Sequence, residues 1–177
     1  MTDIIIVGSP EDCGIERLIK TVLSQTYRIS YLKNGSYSRF GAGYEIICID
    51  CGEISLTGIE SPVILAKKEA ALTMPLPENS TAIISAENEN QLSAVKNSGV
   101  CAITCGVSPT STISFTSETE EMLTVSLNRS ISALSGRTVQ PLEIPIKKSD
   151  LDSYTLMSFI ALRLLLDDFN SELGKLI

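Results

Sequence analysis

The sequence predicts an α/β fold: a three-layer, Rossmann-like or P-loop-like, mostly parallel sheet with helices on both faces, then a small β-meander and a C-terminal helix. Three observations lead there. Short apolar runs and helical stretches alternate from Ile4 to Thr104. Several of those runs, YEIICID at 44–50 among them, are nearly continuous in apolar residues, as strands buried on both faces are. The length of 177 residues, with 44% hydrophobic and 20% charged, suits one domain with one substantial core. The expected layout is a single domain, 1–177, with a core at 1–106, the meander at 107–148 and the terminal helix at 150–173.

The first strand is IIIV at 4–7, and Gly8 turns it into a polar loop. Ile15, Leu18, Ile19, Val22 and Leu23 then recur at helical spacing and define one face of a helix. A strand, a glycine-led loop and a helix in this order aim backbone N–H groups and a helix N-terminus at an anion. A working phosphate loop places Lys and Ser or Thr where that helix begins, whereas here stand Glu11, Asp12 and Cys13.

RISYL at 28–32 reads as the second strand and Asn34-Gly35 as a turn. A glycine-bearing loop, 35–43, leads into the strand that ends on Asp50. Ser61-Pro62 has the form of a helix start, which predicts a helix to about Thr73, before Pro75 and Pro77. TAIIS at 81–85 is a strand, 87–96 a short helix with Leu92 and Val95 inward, Gly99 its end, and VCAIT at 100–104 the next strand. Beyond Gly106, short alternating strands are expected at 110–116, 122–127 and 139–146, with Ser135-Gly136-Arg137 as a turn. The helix at 150–173 is apolar nearly all round, so it is expected in the core or against a partner chain.

Four stretches carry a resemblance to the central, nucleotide-binding domain of the Mur ligase superfamily, which includes the folylpolyglutamate synthetases. GSPEDCGIERLIKTVL at 8–23 lies without gaps on that family's phosphate loop and helix, of the type GTNGKTTTxxLLxxIL. The strand 44–52 is similar to the one ending in a magnesium-binding glutamate. AKKEAALTMPLPENSTAIISAENEN at 66–90 is similar to the segment from a helix with a modifiable lysine to an Asn-Ala-Asp-Asp strand end. The stretch 91–106 continues as the following helix and a strand closing in a T-x-G turn. In all, the likeness runs over residues 3–170 and is one of pattern and spacing.

The resemblance implies a nucleotide site lined by Gly8, Ser9, Asp12, Cys13 and Gly14, with Asp50 at the magnesium carboxylate and Lys67 or Lys68 at the lysine. The departures argue against its use. Glu11 and Asp12 replace the loop's glycine and lysine, Cys13 replaces the magnesium-binding Thr, and Ser85-Ala86-Glu87-Asn88 stands at the Asn-Ala-Asp-Asp end. Two unit charges about 5 Å apart interact by roughly 3 kcal/mol at an effective dielectric near 20. Reversing a lysine to an aspartate before a polyphosphate therefore costs several kcal/mol, when micromolar affinity is worth only about 8. The Asp12 or Glu11 carboxylate is expected to occupy the anion site itself, where the helix dipole favours it. At 177 residues the chain is expected to hold neither the substrate-binding nor the C-terminal domain of such a ligase.

Histidine is absent, which removes the commonest general base and metal ligand, and with them any Ser-His-Asp or Cys-His mechanism in this chain. A net charge of −7, without a Lys/Arg cluster, argues against nucleic acid. The longest apolar run, 156–166, is broken by Arg163 and too short for a bilayer, and no basic segment precedes 4–7. The expected location is the cytoplasm. Five cysteines stand at 13, 48, 51, 101 and 105, and small buried hydrophobes is their plainest reading. Cys13, Cys51 and Cys105, though, all fall at C-terminal strand ends, where α/β folds place ligands.

The favoured expectation is a non-catalytic or regulatory binding module, with no catalytic residue, no cofactor, and ATP with magnesium disfavoured. Its partner would be another protein, or a second copy through the terminal helix. The alternatives are a small magnesium–nucleotide enzyme using Asp50 and Lys67 or Lys68, and a thiol or metal protein using Cys13, Cys51 and Cys105, with Asp50 as a further candidate ligand.

Overall fold

A computed structural model of the chain describes residues 1–54, 58–73 and 75–168. The chain divides into two compact units, Met1–Ala102 and Ile103–Ile177.

In the first unit the strands are β1 (Thr2–Val7), β2 (Arg28–Lys33), β3 (Ser36–Phe40), β4 (Glu45–Cys51), β5 (Val63–Ala66) and β6 (Thr81–Ser85), and the helices are α1 (Gly14–Thr21) and α2 (Glu89–Ser98). The sheet order is β6-β5-β1-β4-β2-β3. All pairings are parallel except the β2–β3 hairpin. Alternation along β1 sends Ile4 and Ile6 to one face and Ile5 and Val7 to the other. On the first face Ile4 and Ile6 stand beside Cys48 and Asp50, and Lys20 of α1 lies over the Tyr31 ring, 5.6 Å from its centre. Ile5 and Val7 pack with Ile64, Ala66, Ala82, Ile84 and Ala94 of α2. Helices thus cover both faces, as the sequence predicted.

Three details differ from expectation. The segment expected as a helix from Ser61 is β5, whose four residues are all buried. VILA is a continuous apolar run, and such a run cannot be told from buried helix by periodicity. The Ser-Pro signal serves a strand entry instead: Ser61 takes φ +52°, and the Pro62 carbonyl accepts the Thr81 N–H. The expected loop 35–43 contains β3, because Asn34 and Gly35, both at positive φ, form a two-residue hairpin turn. In α2 the inward residues are Gln91 and Ala94. Val95 packs on the core edge, while Leu92 is exposed.

The second unit carries β7 (Cys101–Cys105, which begins in the first), β8 (Ile113–Glu118), β9 (Met122–Leu127) and β12 (Leu142–Lys147), in the order β12-β9-β8-β7. Two short strands, β10 (Ile131–Ser132) and β11 (Thr138–Val139), pair separately around the Gly136 turn. The run expected as one strand at 139–146 is therefore split, its second part being β12. The helix α3 spans Ser153–Leu165, and Asp152 caps it by accepting the Thr155 N–H. Tyr154 to Leu165 are all buried within the single chain. This part of the helix leaves no apolar face for a second copy, and the rest of the expected helix, 169–173, lies outside the described residues. No helix among the described residues is long and apolar enough to cross a membrane.

Candidate functional site

The site lies where β1, β2, β4 and β5 end, on the face covered by α1. Parallel register sets Ile6 beside Asp50 and Asp50 beside Lys33, and β5 delivers Lys67 one residue past Ala66, the partner of Val7. Gly8 makes this approach possible. It takes φ +134°, and a Cβ there would stand 2.8 Å from the Cβ of Lys67.

Both oxygens of buried Asp50 are engaged. Lys67 Nζ donates to Oδ1 at 2.9 Å, Tyr31 OH donates to Oδ2 at 2.9 Å, and Lys33 Nζ stands 3.6 Å from Oδ2. Lys67, 3% exposed, also donates to the Ser9 carbonyl at 2.8 Å. Lys33 donates to Glu16 Oε2 at 2.6 Å and to Cys13 Sγ at 3.3 Å. Burial, with the Asp50 charge and hydrogen bond, pushes the Tyr31 phenol up, so it stays a donor. For Glu16, burial acts upward, but hydrogen bonds from Lys20 and Lys33 and their charges outweigh it and hold the carboxyl at about 2. Lys33 is likewise lowered by burial and raised more strongly by Glu16, Cys13 and Asp50, which keeps it an ammonium.

Three N–H groups of the loop between β1 and α1 and of the helix start bond within this segment, while the Gly8 N–H donates to the Cys51 carbonyl. Ser9 Oγ accepts the Glu11 N–H, the Ser9 carbonyl accepts the Asp12 N–H, and Asp12 Oδ1 accepts the N–H of Gly14, the first helical residue. Pro10 has no N–H to give. Cys13 is the N-cap residue, but its side chain makes no capping bond.

Of the residues named from the sequence, Gly8, Ser9, Asp12, Cys13, Gly14, Asp50 and Lys67 converge here. Lys67 stands at a strand end, not on a helix. Lys68 is elsewhere: it lines an open cavity of about 560 Å³ with Glu69, Ser85, Glu87 and Asn88. Among the described residues, no three Cys, Asp or Glu side chains cluster so as to hold a metal ion. Cys13 is exposed, Cys51 half-buried and Cys105 buried, and burial pushes the Cys51 and Cys105 thiols up, Cys51 with help from Asp50.

The sequence reading does not single out Tyr31, Lys33, Glu16 or Gln91, which the fold brings to this region. Lys33 and Asp50, opposite charges closing two apolar strands, offered a signal. Gln91 offered none: its Nε2 donates to the carbonyls of Lys67 (2.9 Å), Lys68 (3.2 Å) and Ala70 (2.9 Å) and its Oε1 accepts the Ser85 N–H (2.8 Å), pinning the turn after β5.

No family model matches the chain, and no curated protein matches it in sequence. Solved structures do match it in fold. A murein peptide ligase (mpl) from Psychrobacter arcticus aligns with TM-score 0.59 and 9% identity over 93% of this chain and 44% of its own. The fold is Mur-ligase-like. FolC of E. coli, in complex with DHPP and ADP, gives TM-score 0.57 and 10% identity, over 93% of this chain and 53% of that one. UDP-N-acetylmuramoyl-L-alanyl-D-glutamate–2,6-diaminopimelate ligase gives 0.59 and 12%, over 100% and 45%. The chain spans about half the length of these structures or less.

Proposed function

We propose that this Mur-ligase-like domain is non-catalytic, that its phosphate-loop position is filled from within, and that it serves as a binding module. The observation that carries the reading is the Lys67–Ser9 contact. The ammonium that pairs with Asp50 also binds a carbonyl of the loop, whereas a phosphate loop presents N–H donors to an anion. Asp12 supports it by supplying the helix N-terminus with its own carboxylate. Asp50 supports it too, since its buried carboxylate is already answered by Lys67 on one oxygen and by Tyr31 on the other. The residues present thus do not fit a magnesium–triphosphate group.

Calorimetry with Mg-ATP tests the reading. The expected result is no saturable binding below about 1 mM, and a dissociation constant under about 10 µM would overturn it.

A further inference from the structure

We propose that β3 is a self-recognition edge, through which two copies of this chain pair antiparallel with Ser38 on the two-fold axis. The strand ends its sheet, and the hairpin fixes which of its groups point outward. Across the two-residue Asn34-Gly35 turn, Lys33 and Ser36 form the hydrogen-bonded pair next to the loop. Alternation then makes Tyr31–Ser38 and Ile29–Phe40 hydrogen-bonded pairs as well, so Ser38 spends both main-chain groups on β2. Tyr37 and Arg39 turn their N–H and C=O groups the other way, to the open edge.

Edge strands in the two units differ in how they are protected. In the second unit, the edge strand β12 carries Glu143, Pro145 and Lys147, the charges and missing donor that discourage strand addition. In β3, SYSRF, there is no proline, and its one charge is already answered by Glu45 at 2.7 Å. Tyr37 is 62% exposed and lies beside Leu32, 39% exposed, its cross-strand partner. Tyr37 is also held in place, its hydroxyl 3.1 Å from Ser30 Oγ.

A second copy is the occupant because the strand complements itself in the register its outward groups require. With Ser38 on the axis, Tyr37 stands opposite Arg39 of the second copy, and the two pairs use all four outward N–H and C=O groups of each Tyr37–Arg39 pair. The guanidinium then meets a tyrosine ring, a favourable cation–π partner, and no like charges face each other along the strand. The small Ser38 pair sits at the closest approach, a non-hydrogen-bonded position. Five residues make a small interface, so the dimer is reversible.

Sedimentation velocity on the full chain, up to about 200 µM, is expected to show a concentration-dependent monomer–dimer equilibrium. Tyr37→Pro removes an outward N–H without touching the β2 ladder and should weaken self-association at least about tenfold. Ser38→Cys should give a disulfide joining the two copies at that position, located by peptide mass, under mild oxidation with glutathione disulfide, since Cα atoms about 4.5 Å apart suit a disulfide. Wild type, with its exposed Cys13 and Cys101, controls for other links. A monomer throughout that range, a dimer unaffected by Tyr37→Pro, or a Ser38→Cys protein that forms no such link would each overturn the proposal, and a strand from another protein would then be the alternative occupant.

Discussion

The first unit contains two strand–loop–helix junctions, and they are held by different chemistry. From β1 to α1 the tether is ionic: Lys67, Asp50, Lys33 and Glu16, with the Tyr31 hydroxyl. From β6 to α2 it is neutral: Asn88 caps the helix by accepting the Asn90 and Gln91 N–H groups, Gln91 holds three carbonyls, and Gly99 ends the helix in the left-handed conformation. One residue serves both. The ammonium of Lys67 belongs to the first junction and its carbonyl to the second. A buried charge needs its counter-charge, whereas an amide needs only geometry, so the two junctions should fail differently.

The largest expected effect is at the ionic junction. Asp50→Ala strands the Lys67 ammonium, 3% exposed, without its counter-ion. Removing one partner of a buried pair costs about 3–5 kcal/mol, read as a lower denaturation midpoint. Asp50→Leu with Lys67→Met removes both charges and should recover much of that loss. If the double variant is no more stable than Asp50→Ala, the ion pair does not govern this junction.

At the neutral junction Gln91→Leu keeps the volume and removes four hydrogen bonds at once. Leaving buried backbone groups unsatisfied costs about 1–3 kcal/mol. Hydrogen exchange should show the Ser85 amide losing protection before the β1 amides do. Equal loss in both strands would mean that the two junctions open as one.

The junctions also differ in how much of them the sequence displayed. The first was legible in kind: a glycine-led loop after an apolar run, acids where a phosphate loop has Gly and Lys, and Asp50 closing a strand. Asp12 Oδ1 accepts the Gly14 N–H at the start of α1. Its partners are hidden, because the Ser61-Pro62 signal places Lys67 on a helix that does not form, and the register pairing Lys33 with Asp50 is a long-range fact. The second junction showed its cap and its Gly99 end, both local signals. Gln91 stayed invisible, because a buried glutamine bonded to distant carbonyls looks in sequence like any surface residue of a polar helix.

A smaller change acts on the same junction. Asn88→Ala removes the α2 cap together with two hydrogen bonds to the Lys68 and Ala70 carbonyls and should cost about 1–2 kcal/mol, with no shift in the pH dependence of stability. Such a shift would tie the neutral junction to the charges.

The smallest effect distinguishes the junctions by acid alone. Glu16 titrates at about 2 in the folded chain against an ordinary 4.5. Because the folded value is the lower one, the stabilisation is complete above about 4.5 and is lost as pH falls toward 2. The carboxylate is partly solvated, with its side chain 16% exposed, so screening limits the effect to under about 1 kcal/mol. Glu16→Gln should match wild type less closely at pH 7 than at pH 2, with the two stability curves converging across that window. Parallel curves would remove Glu16 from the tether and leave Asp50 with Lys67 and Tyr31 as its ionic part.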